Sequence, residues 1–476
     1  MAPEIRLTAD WVAAAMAGTI VEGDGRREFA GVSIDTRTLP AGAVYVAIRG
    51  ERFDGADFAA DALAAGAAGI VVPWGRVRRK ATGGGAASQG AGPVTIAVDD
   101  TTVALQALAH AVRVASGTKV VAITGSAGKT TTKEVTAAFL ETKYRVMRNP
   151  GNLNNHIGLP LSLIGLTARP DVAVVELGMN HAGEISTLVR IARPDVRVWT
   201  NVGDAHVGFF GSVDAIADAK AEILEGATAD AVLVANADDD RIGARTSHFA
   251  GRVVTFGIDR PATVRAESVV DRGIAGMSAQ IRTPRGSVDL VTPLLGRGNL
   301  ANVLAATAVA IECDIPLASI ADRASRLQAA VHRGQVVRLS KGIVVIDDSY
   351  NASPAATRRA LDVLRTAGTE SRRIAVLGEM LELGDRAVEL HADVGRAAAA
   401  AALDRLIAVG GESAGALVDA AVTAGLPRAH AQHVATSEAA ADVVAAAVRP
   451  GDVILVKGSR GVRTERVVDR LKAEFA

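Results

Sequence analysis

The 476-residue sequence contains a single cysteine, Cys313, and few aromatic residues. One cysteine excludes a disulfide scaffold and a zinc site built from several cysteines. Aromatic residues make up 3% of the chain and hydrophobic residues 49%, so alanine, valine, leucine and isoleucine must fill the core. Lys and Arg together number 52, as do Asp and Glu, which leaves no net charge. This balance excludes a strongly basic nucleic-acid-binding protein.

Long apolar runs are also absent from the sequence. No segment approaches the roughly 20 apolar residues that a membrane-spanning helix needs. The first ten residues lack the basic and apolar segments of a secretory signal. We therefore expect a cytoplasmic protein without a membrane span.

The chain is long enough for about three domains, at roughly 100–200 residues each. We place the first domain at residues 1–116, the second at 117–330 and the third at 331–476. In the second, continuous apolar strands such as Lys119–Thr124 and Val172–Leu177 alternate with amphipathic helices. This pattern predicts a parallel sheet that is covered by helices on both faces.

A glycine-rich segment between the strand at 119–124 and a predicted helix has the composition of a phosphate loop. It consists of Gly125, Ser126, Ala127, Gly128, Lys129, Thr130 and Thr131. Backbone N–H groups and the helix start would face phosphate oxygens, Lys129 would reach a terminal phosphate and Thr130 would bind Mg²⁺. The common pattern has glycine where this chain has Ile123, so an ordinary GTPase or kinase is a poor match. An ordinary strand–helix turn is the alternative.

The predicted fold class is therefore α/β, with a central P-loop sheet domain between two others. The N-terminal domain is a small α/β domain, and renewed strand–helix alternation at 342–456 predicts a Rossmann-like C-terminal domain. Residues 276–294 alternate around Pro284–Gly286, which predicts an antiparallel hairpin appended to the central domain. Residues 77–93 are basic and then rich in Gly, Ala, Ser and Gln, so we predict a flexible loop.

Three further polar residues follow predicted strands or lie on a predicted helix. Glu176 ends an apolar strand, where α/β sheets place groups that contact ligands, although a solvated glutamate is the alternative. His206 follows the strand at 196–202, where a surface histidine is the alternative. From its neighbours in the sequence, Lys220 is expected to be a solvated helix lysine that pairs with Asp218 or Glu222.

Several motifs follow one another in a fixed order along nearly the whole chain. They are Ser33–Arg37, the phosphate loop, Asn152–Gly158, Glu176–Asn180, Asn201–His206, Ala219–Glu222, Asp347–Ala352 and Lys457–Gly461. Together they resemble the Mur ligases, which add amino acids to the nucleotide precursor of peptidoglycan, and within that family the branch that adds D-alanyl-D-alanine. The resemblance implies an ATP-dependent, ADP-forming ligase that joins D-alanyl-D-alanine to UDP-N-acetylmuramoyl-tripeptide through an acyl phosphate.

The resemblance also implies which residues bind ATP and metal. ATP would lie between the second and third domains, and two Mg²⁺ ions would be held by Thr130, Glu176, His206 and Lys220. Lys220 would first react as a neutral amine with CO2 to form an anionic carbamate. The implied catalytic residues are Lys129, Glu176, His206 and Lys220. The adenine would contact Asn299 and Asn302, and Arg333 and Asp348 would hold the γ-phosphate and the ribose; helix capping is the alternative for the two asparagines.

The N-terminal domain would bind the UDP end of the substrate. Ser33, Thr36 and Arg37 would lie near it, with turn residues as the alternative. The other implied substrate contacts are Asn152, Asn154, Asn155, Asn351, Lys457, Ser459 and Arg460. The last three form a second strand–loop–helix anion site, suited to the dipeptide carboxylate.

Two alternative functions remain open from the sequence. One is a different Mur ligase or a folylpolyglutamate synthetase, although the Asp-Asn-Pro-Arg motif expected of the diamino-acid branch is absent. The other is a nucleotide switch without ligase chemistry, which Glu176, His206 and Lys220 disfavour. We expect a monomer.

Overall fold

The computed structural model describes residues 4–77, 92–205, 207–247, 249–367 and 371–476. Residues 78–91 of the predicted loop at 77–93 lie outside the described residues, as does His206. Strands and helices alternate along the described chain, which confirms the α/β class. Within these ranges we find no helix that combines the length and the apolar character needed to span a bilayer.

The chain packs as two compact units. The first comprises Met1–Ala122, Tyr144–Met179 and Gly183–Asp195. The second comprises Ile123–Lys143, Asn180–Ala182 and Val196–Ala476. The domain boundaries near residues 116 and 331 stay predictions.

The N-terminal part of the first unit is built around a small mixed sheet. Its elements are β1 (Leu7–Thr8), α1 (Ala9–Ala15), β2 (Thr19–Glu22), β3 (Glu28–Phe29), β4 (Val32–Ser33), β5 (Val44–Val46), α2 (Ala59–Ala64), β6 (Gly69–Pro73), β7 (Val94–Val98) and α3 (Thr101–Ser116). The strand order is β2-β7-β6-β5-β4, with β2 antiparallel to β7 and the other neighbours parallel. Asp100 caps α3 by accepting from the N–H groups of Thr102 and Val103, and Gly117 follows its last residue with φ +67°.

The central part of the chain supplies the strands and helices around the phosphate loop. Its elements are β8 (Lys119–Thr124), α4 (Lys129–Leu140), β9 (Val146–Arg148), α5 (Gly158–Ile164), β10 (Val172–Glu176), α6 (Glu184–Ala192), β11 (Val196–Trp199), α7 (Val207–Phe210), α8 (Val213–Ala221), β12 (Val232–Asn236), α9 (Asp240–Gly243), β13 (Arg252–Gly257), β14 (Val264–Asp271), β15 (Met277–Thr283), β16 (Gly286–Thr292), α10 (Gly296–Glu312) and α11 (Leu317–Ala324).

Within the first unit, β10 lies between β8 and β9 and is parallel to β9. Within the second unit, strands β11 to β16 follow one another in chain order across the sheet, with parallel pairs from β11 to β14. Strands β15 and β16 form the predicted antiparallel hairpin, in which Thr283 pairs with Gly286. The residues Val120–Ile123 of β8 are fully buried, as expected for a strand covered on both faces.

The C-terminal part forms a separate, mostly parallel sheet. Its elements are β17 (Gln335–Arg338), β18 (Val344–Asp348), α12 (Pro354–Ala367), β19 (Arg373–Gly378), α13 (Ala387–Ala400), β20 (Arg405–Val409), α14 (Glu412–Thr423), β21 (Ala431–Val434), α15 (Ser437–Ala447), β22 (Val453–Lys457) and α16 (Glu465–Phe475). The order is β17-β18-β22-β19-β20-β21, and β17 alone of these strands is antiparallel to its neighbour. This arrangement confirms the Rossmann-like prediction.

His391 on α13 is fully buried and ties this helix to the loop after β19. Its Nε2 accepts a hydrogen bond from the N–H of Met380 at 2.8 Å, and its Nδ1 lies 2.7 Å from the carbonyl oxygen of Ala387. Because Nε2 accepts, the ring must be neutral and carry its proton on Nδ1. Burial lowers the pKa of His391 and so favours this neutral form.

We expect the free energy of unfolding to fall as the pH drops below about 6.5, the ordinary histidine pKa. Above that pH both states are neutral and the contribution of His391 is fully present. Below that pH His391 is protonated in the unfolded chain but stays neutral in the folded chain. The free energy of unfolding then falls by at most about 1.4 kcal/mol per pH unit. Urea unfolding at several pH values measures this effect. The free energy of unfolding should depend less on pH in His391→Gln than in the parent, whereas His433→Gln, which replaces an exposed ring, should keep the pH dependence of the parent. Equal slopes for both variants would contradict the assignment.

Candidate active site

The predicted phosphate loop connects β8 to α4, where the sequence places it. Gly125 and Gly128 have φ angles of +149° and +82°, which favour glycine. Space also excludes a side chain at both positions: an added Cβ would collide with the hydroxyl of Thr200 at Gly125 and with the amide of Asn302 at Gly128. The two glycines are therefore required by the close packing of the loop.

Lys129 is the first residue of α4, and its side chain folds back over the loop. Its Nζ donates to the carbonyl oxygen of Gly125 at 2.8 Å. The ammonium thus lies beside the loop, at the positive end of the helix. A cation and a helix start at the same place suit the binding of a phosphate group.

Asn201 lies two residues after the end of β11 and holds the phosphate loop by three hydrogen bonds. Its side-chain Oδ1 accepts from the N–H of Ala127 and its Nδ2 donates to the carbonyl of Ala127, both at 2.9 Å. Its own carbonyl oxygen accepts from the N–H of Ser126 at 3.0 Å. The N–H groups of Ser126 and Ala127, predicted to face phosphate, are thus engaged by Asn201. No role was predicted for Asn201, although it begins the motif Asn201–His206.

We expect Asn201→Ala to weaken ADP binding about tenfold, because the change leaves the N–H of Ala127 without its partner, at a cost of about 1–3 kcal/mol, while the carbonyl of Ala127 keeps only the bond from the hydroxyl of Thr200. Calorimetric titration with ADP measures the effect. Gln280→Ala, on the exposed face of the hairpin, is the control and should bind ADP as the parent does. An unchanged affinity in Asn201→Ala would contradict the bracing role.

The predicted adenine pair lies inside α10 rather than at its cap. The helix begins at Gly296 and its cap residue is Leu295, so the capping alternative is wrong for both asparagines. Asn302 donates from Nδ2 to Oδ1 of Asn299 at 3.2 Å and accepts from the hydroxyl of Thr132 at 3.3 Å. Asn302 therefore packs against the phosphate loop and the helix that follows it.

Glu176 ends β10 and is buried, at 3% exposure, so the solvated alternative is wrong. Its Oε1 accepts from Nδ2 of Asn154 at 2.8 Å, and its backbone N–H donates to Oδ1 of Asn149 at 3.0 Å. Asn149 is itself buried and donates to the carbonyl of Leu153 at 2.9 Å. Asn154, predicted as a substrate contact, here orients a predicted metal ligand. Asn149 was missed because it precedes the motif and because β9, the short strand that it directly follows, was not predicted.

The two other asparagines of this motif differ in their surroundings. Asn155 accepts at Oδ1 from the N–H groups of Ile157 and Gly158, at 3.2 and 2.8 Å, and so caps the start of α5. Asn152 is exposed. A substrate contact by either residue stays a prediction.

Lys220 lies in the last turn of α8 and is buried, at 2% exposure. A solvated Lys220 is therefore wrong. Asp218, one of its two predicted partners, pairs with Arg245 at 2.7 Å. In the described ranges, which omit His206, no three His, Cys, Asp or Glu side chains form a group suited to a metal ion.

Residues predicted to contact ligands lie together at the carboxyl ends of β18 and β22. The buried Lys457 donates to Oδ2 of Asp348 at 2.6 Å and to the carbonyl of Asn351 at 2.9 Å. Ser459 is buried, and its hydroxyl accepts from the N–H of Leu381 at 3.0 Å. Lys457 and Asp348 therefore neutralise each other, and Arg460 is the exposed cation of this group, with Nη1 at 4.0 Å from Oε1 of Glu465.

Asp204, for which no role was predicted, joins the central and C-terminal parts of the second unit. Its carboxylate accepts from the N–H of Ala355, at the start of α12, at 3.2 Å and from Arg358 at 3.3 Å. The neighbouring Gly203 donates to the hydroxyl of Ser126 in the phosphate loop at 2.9 Å. One short segment thus contacts both the phosphate loop and the C-terminal part.

The predicted uridine-side residues form a turn after β4. The hydroxyl of Ser33 donates to the carbonyl of Asp35 at 3.1 Å, as the turn alternative predicts. Arg37 is exposed and pairs with Asp35 at 2.6 Å, which lowers the pKa of Asp35 to about 2. Thr36 is half-buried between them.

A phosphate loop on a parallel sheet, joined to a Rossmann-like part with cations at its strand ends, defines an enzyme that uses a nucleoside triphosphate. Three family models match in order: the Mur ligase family catalytic domain at residues 28–113, the Mur ligase middle domain at 123–310 and the Mur ligase glutamate ligase domain at 332–460. The chain belongs to the Mur ligase family and is thus an ATP-dependent, ADP-forming amide ligase.

Individual relatives match over nearly their full length. The UDP-N-acetylmuramoyl-tripeptide--D-alanyl-D-alanine ligase of Escherichia coli is 35% identical over 449 residues, which is 93% of each chain. A crystal structure of MurF from Acinetobacter baumannii has a TM-score of 0.87 and 29% identity, and covers 99% of this chain and 100% of that one. MurF from Thermotoga maritima in complex with ADP has a TM-score of 0.80 and 28% identity, over 93% and 97% of the two chains.

Proposed function

We propose that this chain joins D-alanyl-D-alanine to UDP-N-acetylmuramoyl-tripeptide in the synthesis of the peptidoglycan precursor, with conversion of ATP to ADP and phosphate. The observation that carries the proposal is the match to ligases of that name along 93% of both chains. ATP as the nucleotide is supported by the ADP complex of the Thermotoga maritima relative. We further propose a cytoplasmic monomer and the domain boundaries at 116 and 331.

The proposed reaction has two steps. A carboxylate oxygen of the tripeptide attacks the γ-phosphorus of ATP, the bond to the β,γ-bridging oxygen breaks, and an acyl phosphate and ADP form. The amine of the dipeptide then attacks the acyl carbon, inorganic phosphate leaves and the nitrogen loses a proton. Phosphorylation is needed because an unmodified carboxylate oxygen is a poor leaving group.

The residues of the second unit are assigned to ATP. Lys129 would neutralise charge on the transferred phosphoryl group, and Arg333 would hold the same group from the C-terminal side. The amides of Asn299 and Asn302 can both donate to and accept from an adenine edge. Asp348 would contact the ribose, with Lys457 holding its carboxylate in place.

Mg²⁺ is assigned to Thr130, Glu176, His206 and a carbamate on Lys220, with two ions expected. The buried carboxylate of Glu176, oriented by Asn154, fits an ion that prefers hard oxygen ligands. Bound Mg²⁺ would neutralise charge on phosphate oxygens. The burial of Lys220 agrees with a role other than surface charge.

The remaining assignments concern the two other substrates. Ser33, Thr36 and Arg37 would contact the UDP end, and Asn152, Asn154, Asn155 and Asn351 the rest of the nucleotide-linked peptide. Arg460 would bind the dipeptide carboxylate, since its exposed guanidinium can bind both carboxylate oxygens, which the ammonium of Lys457 cannot do as well. The buried Ser459 would act through its backbone and its bond to the N–H of Leu381.

Phosphate release from ATP tests the proposal. Release should require both UDP-N-acetylmuramoyl-tripeptide and D-alanyl-D-alanine, and the product should gain the mass of the dipeptide less one water. L-alanine, D-glutamate, L-lysine, diaminopimelate and a folate with L-glutamate serve as competing substrates. Efficient ligation with one of these, or equal release without any acceptor, would overturn the proposal.

A further inference from the structure

We propose that Tyr350 is a positioning residue that holds Arg333 towards the phosphoryl group and, less firmly, Arg460 towards the dipeptide. The inference rests on the proposed function, which gives these two arginines their anions. It concerns a residue that touches neither anion and acts through the two guanidinium groups.

The ring of Tyr350 lies within cation–π distance of both arginines. The Cζ atom of Arg333 is 3.9 Å from the ring centroid, and that of Arg460 is 5.5 Å from it. Attraction to a ring face acts within about 6 Å. The ring contact leaves the N–H donors of Arg333 available for an anion, whereas a carboxylate partner would occupy several of them. Arg460 differs, because Nη1 of its guanidinium also lies 4.0 Å from Oε1 of Glu465.

Tyr350 and Arg333 are fixed to one another by their backbones as well. The N–H of Tyr350 donates to the carbonyl of His332 at 3.0 Å. Nδ1 of His332 lies 2.8 Å from Oδ2 of Asp347, which is fully buried and also accepts from the hydroxyl of Ser349 at 2.6 Å. The segments 332–333 and 347–350 are thus joined by a backbone bond, a side-chain bond and the ring contact.

The backbone of His332 shows that this junction is under constraint. Its φ is +61°, a left-handed value that non-glycine residues adopt rarely and keep only where the surroundings enforce it. The bonds from Tyr350 and to Asp347 provide that enforcement. Arg333, the next residue, therefore leaves the chain in a direction that these contacts set.

Two cations gathered near one ring repel each other, and an anion bound between or beside them relieves this repulsion. The arrangement is therefore suited to reactants that carry negative charge. The shorter distance predicts that Arg333 depends more strongly on the ring than Arg460 does. Removal of the ring should thus affect the ATP side more than the dipeptide side.

The test compares Tyr350→Leu with Tyr350→Phe, which keeps the ring and loses only the hydroxyl. We expect Tyr350→Leu to bind a non-hydrolysable ATP analogue about tenfold more weakly, while ADP, which lacks the γ-phosphate, binds as before. Its KM for D-alanyl-D-alanine should rise less than its KM for ATP. Tyr350→Phe should stay within about twofold of the parent in all three measurements. Unchanged ADP binding also shows that the variant is folded.

A double-mutant cycle with Arg333→Ala tests whether Tyr350 acts through that arginine. If it does, Tyr350→Leu adds no further loss of analogue binding to Arg333→Ala. Additive losses, equal weakening of ADP, or a Tyr350→Phe variant as weak as Tyr350→Leu would each overturn the inference. If the parent protein does not ligate the two substrates, the proposed function is wrong. If the parent does ligate them and Tyr350→Leu binds the ATP analogue as tightly as the parent, only the inference about Tyr350 is wrong.

Discussion

Lys129→Ala should reduce ligation by at least about a thousandfold and leave the fold intact. Loss of one group that stabilises developing charge in a water-poor site costs roughly 10²–10³ in rate, and the terminal lysine of a phosphate loop also helps to bind the nucleotide. The fold should survive because Gly125, Gly128 and Asn201 set the shape of the loop through their own packing and bonds.

Phosphate release and ligated product measure the activity of this variant, and thermal unfolding measures its stability. Lys143→Ala is the matched control, because it removes another lysine, whose Nζ donates to the carbonyl of Asp314 at 3.3 Å at an exposed site. The control should ligate as the parent does. Turnover by Lys129→Ala within about tenfold of the parent would contradict the assignment of Lys129 to the γ-phosphate.

The sequence was most informative where structure is set by neighbours along the chain. The apolar run of β8, the glycines after it and the helix from Lys129 predicted the phosphate loop, and the turn at 284–286 predicted the hairpin. Strand β14 was not predicted, because it is mostly half-buried or exposed and its register shifts between Glu267 and Val270. Only its first four residues alternate between buried and half-buried positions, so the alternation on which prediction depends is short.

The site was less predictable because its contacts join distant parts of the chain. Asn201 is 74 residues from Ala127, and Thr132 is 170 residues from Asn302. A motif shows which residue types are present but not which of them bind one another. Lys457 and Asp348, both predicted as ligand contacts, lie 109 residues apart in sequence and pair at 2.6 Å. Their pairing follows from the parallel alignment of β18 with β22, in which Asp348 is opposite Lys457.

Lys220→Ala should be nearly inactive and should regain part of its activity when formate or acetate is added. Lys220 is 2% exposed, so its removal leaves a space inside the protein rather than a gap on its surface. If the lysine works as a carbamate, the variant lacks an anion, and a small carboxylate that enters this space restores the charge and an oxygen ligand. Recovery should rise with carboxylate concentration and then saturate.

The same carboxylates provide their own control when they are added to Lys129→Ala. That variant lacks a cation, so an added anion cannot replace what was lost, and its activity should stay flat. Chloride at equal ionic strength separates site binding from a salt effect on Lys220→Ala.

Depletion of CO2 should also lower the activity of the parent protein, because a carbamate reverts to amine and CO2. Full activity of Lys220→Ala without any carboxylate, or equal recovery with chloride, would show that the buried amine serves the fold rather than the reaction.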